Sequence, residues 1–310
     1  MLNSGTTLPD TYPDDVEGLT YSMFEPIFLA QQALNGLSFG ALLFLLASGL
    51  TLVFGLMRIV NMAHGAFYML GGYVGVMVAT LTGNLLLALL TAVITVAVTA
   101  FVVEFGLLRF VRGQELPEVL LTIGVSFVIA DVCLAIFGGD PQNLPASVKI
   151  PGALVAGALT YPWYRIFVIG VALVIGIALV LVQSKTRIGA VVRAGVDDRE
   201  IITAMGVNIK WVFTGMFVVG AGLAAIAGTI GAGMQSILPG VQNEVLLYAL
   251  VVIIIGGLGS IPGAAVGSIL IGLIDAFAKA WIPELAYFTI FLPMALVLVF
   301  RPTGLFGRAV

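Results

Sequence analysis

The sequence predicts an all-α protein, a polytopic transmembrane bundle of about eight or nine hydrophobic segments, some broken or re-entrant. Three observations predict it. Apolar residues make up 60% of the 310 positions, charged residues only 9%, and the mean hydropathy is +1.15. A soluble domain carries roughly 25% charged residues, and could not place this much apolar surface without exposing large patches of it. Apolar stretches recur at about span length from residue 28 to the end. The cations, finally, gather in alternate loops.

The stretches fall at about 28–56, 59–81, 84–108, 118–138, 163–183, 212–231, 245–258, 262–279 and 285–300. Ahead of them, residues 1–26 hold Asp10, Asp14, Asp15, Glu17 and Glu25 with no Lys or Arg. That is not a signal peptide, which begins with basic residues. It reads as a flexible acidic tail with an amphipathic piece near Leu19–Phe24, followed by a single transmembrane domain over 27–310. With the tail outside, the inner loops collect Arg58, Arg109, Arg112, Lys185, Arg187, Arg193, Arg199, Lys210, Arg301 and Arg308, ten of the 13 cations. Only Lys149, Arg165 and Lys279 fall outside, so an exterior N-terminus and a cytoplasmic C-terminus are expected. Trp163, Trp211 and Trp281 each sit at a predicted span end, where aromatic belts form.

Some function classes drop out. A net charge of -3 gives no field for nucleic acid. One cysteine, Cys133, permits no internal disulfide, and one histidine, His64, permits no multi-histidine metal site. No Gly-Lys dipeptide occurs, so there is no phosphate loop of the Walker type.

Two stretches look interrupted. The first, 28–56, carries Gly36, Gly40, Gly49 and Gly55 and runs into Asn61-Met62-Ala63-His64-Gly65. Asn61 and His64, three apart, would share a face if helical. The other, 245–258, would be roughly 21 Å long as a helix, short of the roughly 30 Å core, and runs into Gly256-Gly257-Leu258-Gly259-Ser260. Broken segments in both halves suggest related repeats about a translocation path, and irregular backbone at membrane depth survives only inside protein or beside water. Asn61, Met62, Ala63, His64, Gly65, Gly257, Gly259 and Ser260 are therefore the candidate pathway residues; a polar knot holding a broken helix is the competing reading. Beyond the second break, Ala264, Ser268, Gly272 and Ala276 form one small-residue row and Gly259, Gly263 and Gly267 another, both suited to close helix contact.

The longest polar interruption, 184–210, holds five of the ten inner cations. Asp197 with Glu200 three residues on resembles a capping box, and Ile201, Ile202 and Met205 form an apolar face before Gly206. A two-turn helix is marginal alone and needs a partner, lipid headgroups or a docking protein.

Specific stretches now carry a resemblance: Gly49-Leu50-Thr51-Leu52-Val53-Phe54-Gly55, Asn61 through Gly71, Thr186-Arg187-Ile188-Gly189 through Arg193-Ala194 to Ala204-Met205-Gly206-Val207-Asn208, Gly256 through Ala264, and Arg301-Pro302-Thr303-Gly304-Leu305-Phe306-Gly307. In this order and spacing they resemble the permease subunit of branched-chain amino-acid ABC importers, the LivH-type family, from about residue 28 onward. The resemblance implies an ABC importer permease fold in a prokaryotic plasma membrane. It implies a coupling loop over 184–210, with Gly189, Arg193, Ala194, Asp197, Glu200, Ala204 and Gly206 as the residues that meet the ATPase. It also implies two cytoplasmic ATPase subunits that carry ATP and Mg, a second permease subunit, identical or related, and an extracytoplasmic solute-binding protein. The chain itself would bind no cofactor, and would be a transporter subunit rather than an enzyme.

Competing readings use the intramembrane charges. Glu104, near the inner end of its span, can reach Arg109 or Arg112. Asp131 and Asp275 lie deeper, where a charge costs about 2.5–3.5 kcal/mol, and serve either helix-to-helix bonding or solute passage. An ion-coupled transporter or channel would use the latter. A membrane enzyme would need a Ser260–His64 pair, which no motif supports. Within the importer reading, branched-chain amino acids are the default solute; urea, short amides and small aromatic acids are the alternatives.

Overall fold

The structure, a computed structural model, describes residues 25–57, 60–197 and 206–307. The acidic segment 1–24, Arg58, the predicted helix over 198–205 with Glu200 and Ala204, and Arg308 lie outside the described residues.

Among the described residues, ten helices make the body. They are α1 (Pro26–Met57), α2 (His64–Thr82), α3 (Leu85–Val111), α4 (Glu115–Phe137), α5 (Trp163–Lys185), α6 (Arg187–Asp197), α7 (Ile209–Gly231), α8 (Val241–Gly256), α9 (Ile261–Trp281) and α10 (Ala286–Phe300). Seven of the described helices are long and apolar enough to cross a membrane, and α8 and α10 are shorter apolar helices. The protein is a multi-pass membrane bundle. Each predicted apolar stretch has a helix, and Trp163, Trp211 and Trp281 stand at helix ends. Between α4 and α5, β1 (Ala153–Ala156) pairs antiparallel with β2 (Leu159–Pro162), with Leu154 opposite Tyr161. This hairpin marks one end of the bundle, the hairpin end. The other end, where α3, α5 and α10 finish and α4 and α7 begin, carries Arg109, Arg112, Lys185, Lys210 and Arg301 and is called the basic end.

Local signals set the boundaries. Asn84 caps α3 by accepting from the backbone N–H of Leu86 (2.9 Å) and Leu87 (3.1 Å). Thr186 does the same for α6 through Gly189 N–H (3.2 Å). Ser260 caps α9 through Gly263 N–H (3.1 Å), with a proline in the first turn where no N–H is needed.

Burial divides the bundle into two layers. The most apolar windows of α1, α7 and α2 are 83%, 78% and 67% buried, whereas those of α3, α4 and α5 are 28%, 22% and 11% buried. The first three with α9 form the centre, and the others turn most of their sides outward. Small residues let the centre close. A Cβ at Gly40 would stand 2.7 Å from the Ser268 carbonyl oxygen, and one at Gly36 would stand 2.7 Å from Leu273 Cα. Both small-residue rows of α9 are thus used: Ser268 and Gly272 face α1, while Gly263 and Gly267 face α8. Such seams gain van der Waals contact where lipid offers no hydrophobic drive between helices.

The structure corrects two sequence expectations. The first stretch is not interrupted: α1 runs unbroken for 32 residues, and its glycines serve packing. Asn61 and His64 do not share a helix face, because Asn61 precedes the helix that His64 begins. Asp197 is the last residue of α6, an 11-residue helix that the capping-box reading did not contain, and the helix expected to follow it lies outside the described residues.

Candidate functional site

The predicted pathway residues fall at two breaks. At the first, Asn61 Oδ1 accepts from Ala63 N–H (3.0 Å), and the Asn61 carbonyl accepts from His64 N–H (3.2 Å), so the segment turns on itself. His64 is fully buried, and its Nε2 lies 2.9 Å from the Leu46 carbonyl within α1. A carbonyl can only accept, so Nε2 carries the proton in this contact. Nδ1 has no partner among the described residues. The backbone N–H of half-buried Met62 reaches Thr122 Oγ1 on α4 at 3.3 Å. Gly65 admits no side chain, since a Cβ there would overlap the Gln242 carbonyl at the start of α8. Asn61, Ala63, His64 and Gly65, with Met62, are therefore packed against α1, α4 and α8.

The second break works through backbone. Gly257 has φ +103° and Gly259 φ +79°, conformations that favour glycine. The C-terminal segment closes on it: Leu305 N–H donates to the Ile255 carbonyl (2.8 Å) and Phe306 N–H to the Gly256 carbonyl (3.0 Å). These bonds satisfy carbonyls that the end of α8 would leave unpaired. Gly259 also lies against Gly55 of α1. The quoted tail Arg301–Gly307 and the quoted glycine run thus meet in space.

A third place was not read from the sequence. Between α1, α2, α8 and α9 lies a narrow cleft lined by Phe39, Leu42, Leu46, Tyr68, Gln235, Glu244, Tyr248 and Lys279. Tyr248 Oη donates to Asp275 Oδ1 (2.8 Å), and Lys279 Nζ pairs with Asp275 Oδ2 (2.8 Å). Gln235 Nε2 donates to Tyr68 Oη at 3.3 Å. Glu244, exposed in the first turn of α8, supplies a carboxylate beside leucines and a phenyl ring. The cleft therefore presents an anion, a cation and an aliphatic wall. Its parts are scattered from residue 39 to residue 279, which is why no spacing in the sequence points to it.

The remaining charges separate. Glu104 is fully buried; it pairs with Arg112 and accepts from Thr214 Oγ1 of α7, the structural pairing that the sequence suggests. Asp275 bridges α8 and α9 through Tyr248. Asp131 is exposed on α4, next to exposed Val132.

Of the predicted coupling residues, Gly189 is buried where a Cβ would overlap the carbonyls of Val182 and Gln183, folding α6 back onto the end of α5. Arg193 is exposed on α6, Ala194 is half-buried, and Gly206, at φ +84°, leads the chain into α7. Asn208 caps α7 through Lys210 N–H (3.2 Å).

With this geometry in hand, likeness to known proteins is decisive. A family profile described as "Branched-chain amino acid transport system / permease component" matches residues 32–300. The chain belongs to this permease family. The high-affinity branched-chain amino acid transport system permease protein BraD of Pseudomonas aeruginosa is 31% identical over 298 residues, covering 90% of this chain and 95% of that protein. The permease protein LivH of Escherichia coli K12 is 29% identical over 310 residues, covering 91% of this chain and 96% of its own. Among solved structures, PsaBC from Streptococcus pneumoniae in complex with Fab aligns over 92% of this chain and 94% of its own, at 10% identity and a TM-score of 0.48. The family match runs through both breaks and the basic-end connection of α5 to α7, three of the regions on which the sequence resemblance rests.

Proposed function

We propose that this chain is the membrane permease subunit of an ATP-driven importer for branched-chain or other small amino acids. The single observation that carries this is the family match over 32–300, coincident with the helical bundle. The relatives BraD and LivH are named as high-affinity branched-chain amino acid permeases. In this reading the basic end is cytoplasmic and the N-terminus external. Two ATPase subunits carry ATP and Mg there, a second permease subunit completes the path, and a solute-binding protein delivers amino acid at the hairpin end. In the same reading exposed Arg193 on α6 meets an ATPase; α6 is folded onto α5, which supports a push on it reaching a membrane helix directly. The paired state of Asp275, tied to Lys279 and Tyr248, favours a structural role there over ion coupling.

Reconstitution with the partner ATPases and binding protein tests the reading. Leucine uptake into proteoliposomes should require ATP. Arg193→Glu should lower uptake at least tenfold while the subunit stays in the membrane and ATP is still hydrolysed. Normal uptake by the permease with no ATPase present would overturn it.

A further inference from the structure

A cavity of about 640 Å³ lies at the basic end, between the last turns of α3 and the first turn of α7. Its origin is local. Residues Glu104–Leu108 of α3 form a π-helical turn, a device frequent at functional sites. Within that turn Glu104 reaches Thr214 of α7 and Arg112, so the back of the niche is neutralised. The mouth is not. Arg109 and Lys210 both line the niche, and neither forms an ion pair among the described residues. Arg109 is held by rings instead, its guanidinium 4.1 Å from the centroid of Phe105 and 4.6 Å from that of Phe110. Lys210 sits in the first turn of a 23-residue helix, whose positive dipole end adds to the field.

The rim decides what kind of anion fits. Phe105 and Trp211 stack with centroids 6.0 Å apart, and Trp211 is 58% exposed beside the cations. A site for a soluble anion has no use for an exposed aromatic rim. An amphiphile does, because its phosphate meets the cations while its chains run along the rings, and tryptophan favours that headgroup level. Basic pockets between helices at this face suit acidic lipid headgroups. We propose that the niche binds the phosphate of an anionic phospholipid between Arg109 and Lys210, with its acyl chains laid along Phe105 and Trp211. The assignment is independent of the transported solute.

The test uses the full chain purified in mild detergent, with Trp163 and Trp281 changed to Phe so that Trp211 reports alone. Phosphatidylglycerol with brominated chains should quench Trp211 at far lower mole fraction than brominated phosphatidylcholine. Arg109→Ala and Lys210→Ala should each weaken the phosphatidylglycerol effect about fivefold, and together about 25-fold, as expected for two cations near a charged surface. Lys149→Ala, a charge loss at the hairpin end, should change nothing. Arg109→Lys should keep most of the affinity, which separates charge loss from misfolding. Equal quenching by the two lipids, or no change in the double variant, would overturn the proposal. Release of phosphatidylglycerol by millimolar inorganic phosphate would also overturn it, and would assign the niche to a soluble phosphate.

Discussion

The two breaks in the bundle, Asn61-Met62-Ala63-His64-Gly65 and Gly256-Gly257-Leu258-Gly259-Ser260, are held in opposite ways. The break before α2 is locked by side chains: Asn61 turns the backbone, and His64 bonds to the wall of α1. The break after α8 is locked by backbone: Gly257 and Gly259 take left-handed conformations, and the chain terminus supplies N–H groups to α8 carbonyls. A side-chain lock can be loosened in steps, whereas a backbone lock built on glycine fails whole. If the breaks are where the bundle switches between sides, the first is suited to be the adjustable one.

The largest expected effect follows from the backbone lock. At φ +103° and ψ +126°, Gly257 occupies space essentially reserved for glycine, at about 1–3 kcal/mol for another residue. A Cβ there would also meet Phe306 C at 2.9 Å and Gly307 Cα at 2.8 Å, both backbone. Gly257→Val should cost about 3 kcal/mol or more and release the C-terminal segment. Thermal unfolding of the purified subunit, with protease access to residues after Arg301, reads both. An unchanged melting temperature would show that the break is pliable.

Next comes the side-chain lock. His64→Ala removes one buried hydrogen bond, worth about 1 kcal/mol, and leaves a void among packed helices that adds to the cost. A loss of about 2–3 kcal/mol in the melt is expected. His64→Gln should recover part of it, because an amide N–H can donate to the Leu46 carbonyl. If His64→Gln melts like the alanine variant, the Leu46 contact is not what holds the break.

How legible was this from residues alone? The positions of the apolar stretches were, because burial in lipid demands long apolar runs whatever the neighbours. The Glu104–Arg112 pair was also legible, since a buried charge must find its opposite within reach. The continuity of α1 was not. Gly36, Gly40 and Gly49 read as weak points in an isolated helix, and only the presence of α9 and α7 against them turns weakness into fit. α6 was hidden for a related reason: Gly189 and Gly195 lower its intrinsic propensity, and Gly189 is required by contact with the end of α5. The cleft with Glu244 and Lys279 needs four helices assembled before it exists. The packing of the predicted pathway residues around α1 could not be read from spacing.

The third effect is smaller and more local. Asn61→Ala leaves the buried Ala63 N–H without its acceptor, at about 1–2 kcal/mol. Asn61→Asp keeps an acceptor at that position and should restore most of the hydrogen bond, though it adds a charge that must be desolvated. Comparing the two melts with that of His64→Ala in a double-variant cycle measures whether knot and wall act as one unit. A coupling near zero would mean two independent contacts rather than one lock.

The smallest expected effect is at Ser260, and it discriminates best between architecture and pathway. Its hydroxyl accepts from Gly263 N–H and caps α9, a role worth about 1 kcal/mol or less at a half-buried helix start. Ser260→Ala should therefore lower stability slightly and leave ATP-driven uptake close to normal, and Ser260→Asp, another good cap, should melt like the parent. A Ser260→Ala variant that melts normally but loses uptake would break the comparison between the breaks. Such a loss could not come from the cap, and it would place the hydroxyl on the solute path, making the second break a working surface as well as a backbone lock.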